Sequence, residues 1–367
     1  MSEVGPWQFD LEEYIREGEP SMAQRADAWQ TAIGLQAVDG LKVSDYLLET
    51  AKEHVEGAIT IDEAQRRVQS YYEARDARGE LAEEGAEEAD IVSSRIARLL
   101  GERAFVFSPA QIKAIHGALF EGRLTLAGEY RPYNITKKEW VLKGDTVLYA
   151  PASTIEATLD YDFSREKDFS YRGVGKEAAV RHIASFISGI WQIHPFEEGN
   201  TRTTAVFAIK YLKSLGYEVD NEPFKRHSWY FRNALVRANY EDHAIGVHET
   251  QEYLDLFFDN LLLGGHHELK NRYLHIDWCG TRSDATTGLT QQVTQQVTQQ
   301  VGRLLEVLGE EELGLKELMK RVGLKDRNSF VANYLNPALE AGLVERTVPN
   351  KPTSRFQKYR RVRHIDE

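Results

Sequence analysis

The chain is poor in several residues and patterns that would place it in a special class. Cys279 is the one cysteine among 367 residues, which excludes a disulfide framework and a cysteine-built structural zinc site. No run of about 18 apolar residues occurs, which excludes a transmembrane helix. The N-terminal stretch MSEVGPWQFDLEEY is acidic and polar, without a signal-peptide pattern. A cytoplasmic protein with no membrane partner is expected. Basic charge is in deficit, with 45 Lys plus Arg against 57 Asp plus Glu, a net of −12. Taken as an average, that charge argues against nucleic acid. The average conceals a basic tail: between Leu313 and His364, 12 basic residues meet 4 acidic ones, a local net of +8.

What is present is a globular composition, 42% hydrophobic, at a length suited to two or three domains. Residues 1–104 read as a helical N-terminal region. Ser44 precedes Tyr46, Leu47 and Ala51 at helical spacing, and Thr60-Ile-Asp-Glu63 has the capping-box pattern, opening a helix through Tyr72. Six acidic residues between Glu80 and Asp90 read as a solvated loop or helix face. Residues 105–265 hold the strongest pattern: Val180, Ile183, Phe186, Ile187, Ile190 and Trp191 recur at helical spacing up to His194-Pro195. Pro195 disfavours helix at His194. A new helix follows Asn200, and Trp140–Ile155 reads as a short hairpin around Lys143-Gly144-Asp145. Residues 266–301 form a linker with Thr-Gln-Gln-Val repeats. Residues 302–367 read as helix, turn, helix and hairpin, the order of a winged helix.

Chemistry concentrates in His194-Pro-Phe-Glu-Glu-Gly-Asn-Thr-Arg202. A helix N-terminus after Gly199 presents backbone N–H groups that favour an anion. Arg202 adds a planar donor fork suited to phosphate. Glu198 suits a hard divalent cation bridging phosphates. His194, with an unperturbed pKa of about 6.5, can take a proton from a hydroxyl. Alone, each residue has a commoner structural role; together they suggest a hydroxyl attacking a nucleotide phosphate. Adjacent His266 and His267 point apart on a helix and make a poor metal patch.

The same nine residues resemble the signature of the Fic family, His-x-Phe-x-(Asp/Glu)-Gly-Asn-x-Arg, at all six specified positions. Gly128-Glu-Tyr-Arg131 resembles an upstream family element. The resemblance implies a mainly α fold: a Fic-type helical bundle with a small β-hairpin flap, a helical N-terminal region and a C-terminal winged helix-turn-helix. It implies AMP transfer from ATP, with Mg²⁺, to a Ser, Thr or Tyr hydroxyl of a protein target or of the chain itself. His194 would be the general base, Phe196 a core anchor and Glu198 the metal ligand. Gly199, Asn200, Thr201 and Arg202 would bind ATP phosphates. Leu148, Tyr149 and Ala150 of the flap would meet the target. Phosphotransfer of the Doc type is the alternative chemistry, although that branch has a Lys where this chain has Thr201. A non-enzymatic, nucleotide-responsive DNA-binding regulator is the other alternative.

Two departures from the family pattern stand out. The second arginine, which family members use for the γ-phosphate, is Ala205 here. The inhibitory (Ser/Thr)-x-x-x-Glu motif is also lost, because Ala97 stands four residues after Ser93 and Arg98 four after Ser94. The usual Glu–Arg autoinhibition is therefore expected to be absent, and either Lys210 or a flap residue serves the γ-phosphate or the donor is not ATP. In the tail, Arg346, Lys351, Arg355 and Lys358 are the expected contacts to double-stranded DNA, with protein interaction or homodimer formation the competing role.

Overall fold

A computed structural model describes residues 20–79, 85–278, 299–309, 311–323, 330–335, 338–339, 343–347 and 357–362. The chain divides into two compact units, Met1–Trp278 and Cys279–Glu367. Cys279 and most of the Thr-Gln-Gln-Val repeats lie outside the described residues.

The first unit is helical throughout. Its helices are α1 (Met22–Gln36), α2 (Asp45–Val55), α3 (Ile61–Ala77), α4 (Ala86–Gly101), α5 (Pro109–Phe120), α6 (Ile155–Asp168), α7 (Lys176–Ile193), α8 (Asn200–Ser214), α9 (Glu222–Ala238) and α10 (Glu252–Leu262). The expected caps form: the Ser44 hydroxyl accepts from Leu47 N, and the Thr60 hydroxyl accepts from Glu63 N, each at 3.2 Å. The second half of the Thr60 capping box does not form, because Glu63 turns to Arg67. One hydrophobic core runs from Ala28 to Leu274, so the N-terminal helices share their interior with the helices that follow. α8 is the central element, with every residue from Asn200 to Leu212 buried. α4 packs against α1, α3, α5 and α8 and brings the N-terminal region onto it.

Asp90, the last residue of the acidic run, is not on a solvated face, and Glu80, Glu83 and Glu84 lie outside the described residues. Asp90 is fully buried and accepts from Ser44 N at 2.9 Å and from the Ser44 and Tyr72 hydroxyls at 2.5 and 2.7 Å. Three donors hold a carboxylate that charge counting had assigned to solvent, although burial still raises its pKa.

The flap reverses where the hairpin was expected, but its tip is a 3₁₀ turn, Trp140–Leu142, rather than a strand ladder. Glu139 N donates to Asp145 O at 2.8 Å and Gly144 N returns to Glu139 O at 2.9 Å. The bulky Val141 and Leu142 are drawn into the core, which explains the inward turn.

The second unit has helices α11 (Gln299–Leu308) and α12 (Leu315–Val322) and a three-stranded antiparallel sheet. Its strands are β1 (Leu313–Gly314), β2 (Val344–Arg346) and β3 (Lys358–Arg361), in the order β1-β3-β2. The β1 strand was not anticipated from sequence; at two residues it carries no alternation to read. Gly323 ends α12 in the left-handed conformation, and Phe330, Leu335, Ala338, Val344 and Tyr359 close a separate small core. Lys358 is exposed, whereas Lys351, Arg355 and the side chain of Arg346 lie outside the described residues.

Gly128 sits at φ +76°, and a β-carbon there would lie 3.2 Å from the Gly117 Cα of α5. Gly216 has a similar φ of +85° with open space around it. Gly216→Ala should therefore cost only the left-handed penalty, about 1–2 kcal/mol. Gly128→Ala should cost about 1–3 kcal/mol more from crowding. Urea unfolding of the two variants checks this; equal losses would show that the α5 approach is not tight.

Candidate active site

α7 ends at Ile193, and His194 takes a left-handed conformation (φ 52°, ψ 60°). This is uncommon for a non-glycine residue and more so before proline, and costs on the order of 1–3 kcal/mol. The strain is held in place by Arg131, which is buried. Its guanidinium donates to His194 O at 2.7 Å, Ile193 O at 3.2 Å, Tyr133 O at 2.7 Å and Ala150 O at 2.5 Å. Its own N–H donates to Pro195 O at 2.9 Å. Arg131 thus ties the His194 loop to both ends of the flap.

The His194 ring is buried, with the Tyr149 ring 4.2 Å away, centroid to centroid, on the flap side. Its Nδ1 lies 3.2 Å from Trp191 O. A carbonyl can only accept, so Nδ1 carries the proton and Nε2 keeps a free lone pair. Burial, reinforced by the Lys137 cation and by Arg232 and Arg131, pushes the pKa well below 6.5, so the ring is neutral at pH 7.

The loop after His194 is braced internally. Phe196 is buried and stacks on His116 at 3.8 Å. The Asn200 amide accepts from Phe196 N at 2.9 Å and donates to Phe196 O at 2.7 Å, so it closes the loop on itself. The Thr201 hydroxyl accepts from Trp191 Nε1 at 2.9 Å. Gly199 has φ +73°, and any β-carbon there would strike the Phe120 ring at 2.3 Å. The backbone N–H groups of Asn200, Thr201 and Arg202 open α8 without intrahelical partners, as first-turn groups do. The Asn200 and Thr201 side chains are thus engaged within the protein, and their backbone N–H groups are what the helix N-terminus presents.

Arg202 is almost fully buried over the Phe120 ring, with its guanidinium carbon 4.8 Å from the centroid. Its Nη2 donates to Glu88 Oε1 at 2.7 Å and its Nη1 to Gln36 Oε1 at 3.1 Å. Asp39 Oδ2 lies 2.7 Å from its Nε, an ion pair without hydrogen-bond alignment. These three partners come from α1, the turn after it, and α4, and sequence reading missed all of them. Ala97 and Ala205 stand where the resemblance implied the inhibitory Glu–Arg pair, and different carboxylates of the N-terminal region, Asp39 and Glu88, meet Arg202.

Glu198 is half-exposed, and its carboxylate accepts from Lys137 Nζ at 2.7 Å. Lys210 does not reach the site; its ammonium caps the end of α4 through Leu99 O and Glu102 O, both at 2.7 Å. The lysine beside Glu198 is Lys137, which precedes the flap. Leu148 is 84% exposed on the flap, Tyr149 is turned inward to His194, and Ala150 O is taken by Arg131. Tyr149 hydroxyl contacts Glu139, which pairs with Arg232 at 2.8 Å; burial raises the Glu139 pKa despite that cation.

Residues 106–212 match the Fic/DOC family, and residues 299–361 match the C-terminal domain of Fic-like filamentation-induced-by-cAMP proteins. Two separate segments of the chain thus match Fic-family domains, one in each compact unit. Over 129 residues it is 30% identical to a probable protein adenylyltransferase, y4lH, of Sinorhizobium fredii; this is 35% of the chain and 64% of that relative's length. Among solved structures, a Fic family protein from Desulfovibrio desulfuricans G20 is similar at TM-score 0.43 and 17% identity, over 98% of this chain and 93% of that one. The BepC protein of Bartonella tribocorum with bound AMPPNP is similar at TM-score 0.38 and 16% identity, over 49% and 88%.

His116 generates a pH dependence of folding. Its Nδ1 accepts from Gly128 N at 2.8 Å and its Nε2 donates to Glu198 O at 3.1 Å, a pairing that only the neutral ring makes. Burial lowers its pKa to about 4. A depressed base contributes stability above its unfolded pKa of about 6.5 and loses it as pH falls through the folded value. Stability should therefore fall from pH 6.5 toward pH 4, with a His116 share of up to about 3 kcal/mol. Urea midpoints across this range should fall less steeply in His116→Gln; parallel slopes would show that His116 does not titrate as described.

Proposed function

We propose that the chain transfers AMP from ATP to a Ser, Thr or Tyr hydroxyl of a protein, which includes the chain itself as an acceptor. The observation that carries this reading is a neutral His194 with Nε2 free, beside a helix N-terminus and an arginine. Nε2 takes the hydroxyl proton and the oxygen attacks the α-phosphorus. The bond to the β-phosphate oxygen breaks and pyrophosphate leaves. The α8 N–H groups and Arg202 receive the phosphate charge. Glu198 suits Mg²⁺: it is a single accessible carboxylate whose present partner is an exchangeable lysine, and Mg²⁺ uses few protein ligands alongside phosphates. Mg²⁺ there would neutralise charge on the leaving pyrophosphate. Lys137, released from Glu198, would supply the cation that Ala205 lacks. The DNA reading of the tail rests on its charge and on the winged-helix order of elements. Among the described residues Lys358 is open, whereas Arg360 is engaged by Glu345 and Glu312.

Intact-mass analysis after incubation with ATP and Mg²⁺ tests the reaction. Wild type should gain the mass of AMP, and His194→Ala should gain nothing. Lys137→Ala should gain the same mass but need more ATP. A gain of phosphate would favour the Doc-type chemistry, and no incorporation into chain or target would favour a binding role.

The carboxylates on Arg202 belong to the same reading. A triphosphate must displace Glu88 and Asp39 from the guanidinium, so these residues hold the enzyme back. An ion pair of this partly exposed kind is worth about 1 kcal/mol, so Glu88→Ala should tighten ATP binding roughly fivefold. Asp39→Ala added to it should tighten binding further. Titration calorimetry with ATP reads this directly; unchanged or weaker binding in the double variant would sink the inhibitory role.

A further inference from the structure

A second cluster lies on the turn between α9 and α10. Asp242 and Val247 form an isolated antiparallel bridge, with Asp242 N donating to Val247 O at 2.8 Å and Val247 N to Asp242 O at 2.9 Å. In such a pair the residues just outside the bridge, Glu241 and His248, stand opposite each other on the face away from the bridge residues. His243, two residues beyond Glu241, returns to that face. The outcome is that one ligand-capable atom of each of Glu241, His243 and His248 lies within 4.8 Å of the others. Among the described residues this is the one such group of three. The His243 and His248 rings are 5.7 Å apart, and His243 Nε2 lies 3.5 Å from Glu241 Oε1.

We propose that Glu241, His243 and His248 bind a divalent transition-metal ion of the zinc class. Two imidazoles and one carboxylate are a donor set for zinc, with a fourth position left to water or another ligand. Ligand atoms around tetrahedral zinc stand roughly 3.4 Å apart, given bonds of about 2.1 Å. All three side chains are exposed, so they close that remaining distance by rotamer adjustment alone, while the backbone bridge already fixes their Cα positions. Asp242 is not a competitor, because its carboxylate accepts from Ala244 N at 2.9 Å and shapes the turn. Mg²⁺ is excluded as the occupant, because it prefers oxygen ligands in near-octahedral array. The turn is joined to the flap tip, since the Tyr240 hydroxyl donates to Asp145 Oδ2 at 2.7 Å. Metal binding would therefore staple a segment that touches the flap from outside the phosphate site.

The test is Zn²⁺ titration of the full chain by calorimetry, with excess Mg²⁺ present. Wild type should bind Zn²⁺ at a site that Mg²⁺ does not empty. Loss of a residue that only orients a metal ligand costs about 10–100-fold in metal affinity, so His243→Ala or His248→Ala should each cost at least about tenfold. His194→Ala should bind Zn²⁺ as wild type does, which separates this site from the phosphate site. The His243 and His248 variants should melt like wild type without metal, because those side chains are exposed; added Zn²⁺ should raise Tm less in them than in wild type. No Zn²⁺ binding by wild type, or undiminished binding by the His243→Ala/His248→Ala double variant, would overturn the proposal.

Discussion

The site depends on one buried guanidinium. Arg131 has almost no water to solvate it, and burying an uncompensated charge is costly. It is compensated by main-chain carbonyls, four of them, drawn from the end of α7 and from both arms of the flap. The carbonyls at a helix C-terminus carry partial negative charge, so Ile193 O and His194 O are favourable partners. The strained His194 conformation, the direction of its Nδ1 and the position of the Tyr149 ring over it all follow from segments that Arg131 joins. Lysine could not replace this fork, because its three donors radiate from one point.

Around that anchor the site combines groups held neutral with groups held charged. His194 and His116 are both kept neutral by burial, and the backbone carbonyls they donate to fix which nitrogen carries the proton. Arg202 and Glu198 instead meet partners that can be exchanged, carboxylates for one and an ammonium for the other. The fixed contacts set geometry, and the exchangeable ones mark where phosphate and cation would enter.

Much of this was legible in the sequence because it is local. The α7 and α8 periodicities, the break between them, the caps at Ser44 and Thr60 and the nine-residue signature all involve neighbours in the chain. What was not legible comes from distant segments. Asp39 and Glu88 reach Arg202 across more than a hundred residues, and no spacing rule connects them. Asp90 was read as solvated because its run is acidic; Ser44 and Tyr72 from two other helices make it a core residue. Lys210 was placed near phosphate by its position on α8, but it lies on the side that meets the end of α4. The flap tip was misjudged because a turn signal fixes where a chain reverses and not whether its arms pair.

Glu88 and Asp39 are covalently part of the chain, so they meet Arg202 at an effective concentration that no dissolved anion shares. Tethered partners of this kind act as though present at about millimolar levels or above. Simple phosphate or sulfate, whose levels the protein does not control, competes poorly against that. On the proposed function, a ligand would succeed by adding contacts beyond the arginine, at the helix N-terminus, at Glu198 through a cation, and along the flap. The clamp would then filter for composite anions: it would set a threshold that one phosphate group does not cross and that a nucleotide engaging several subsites together can.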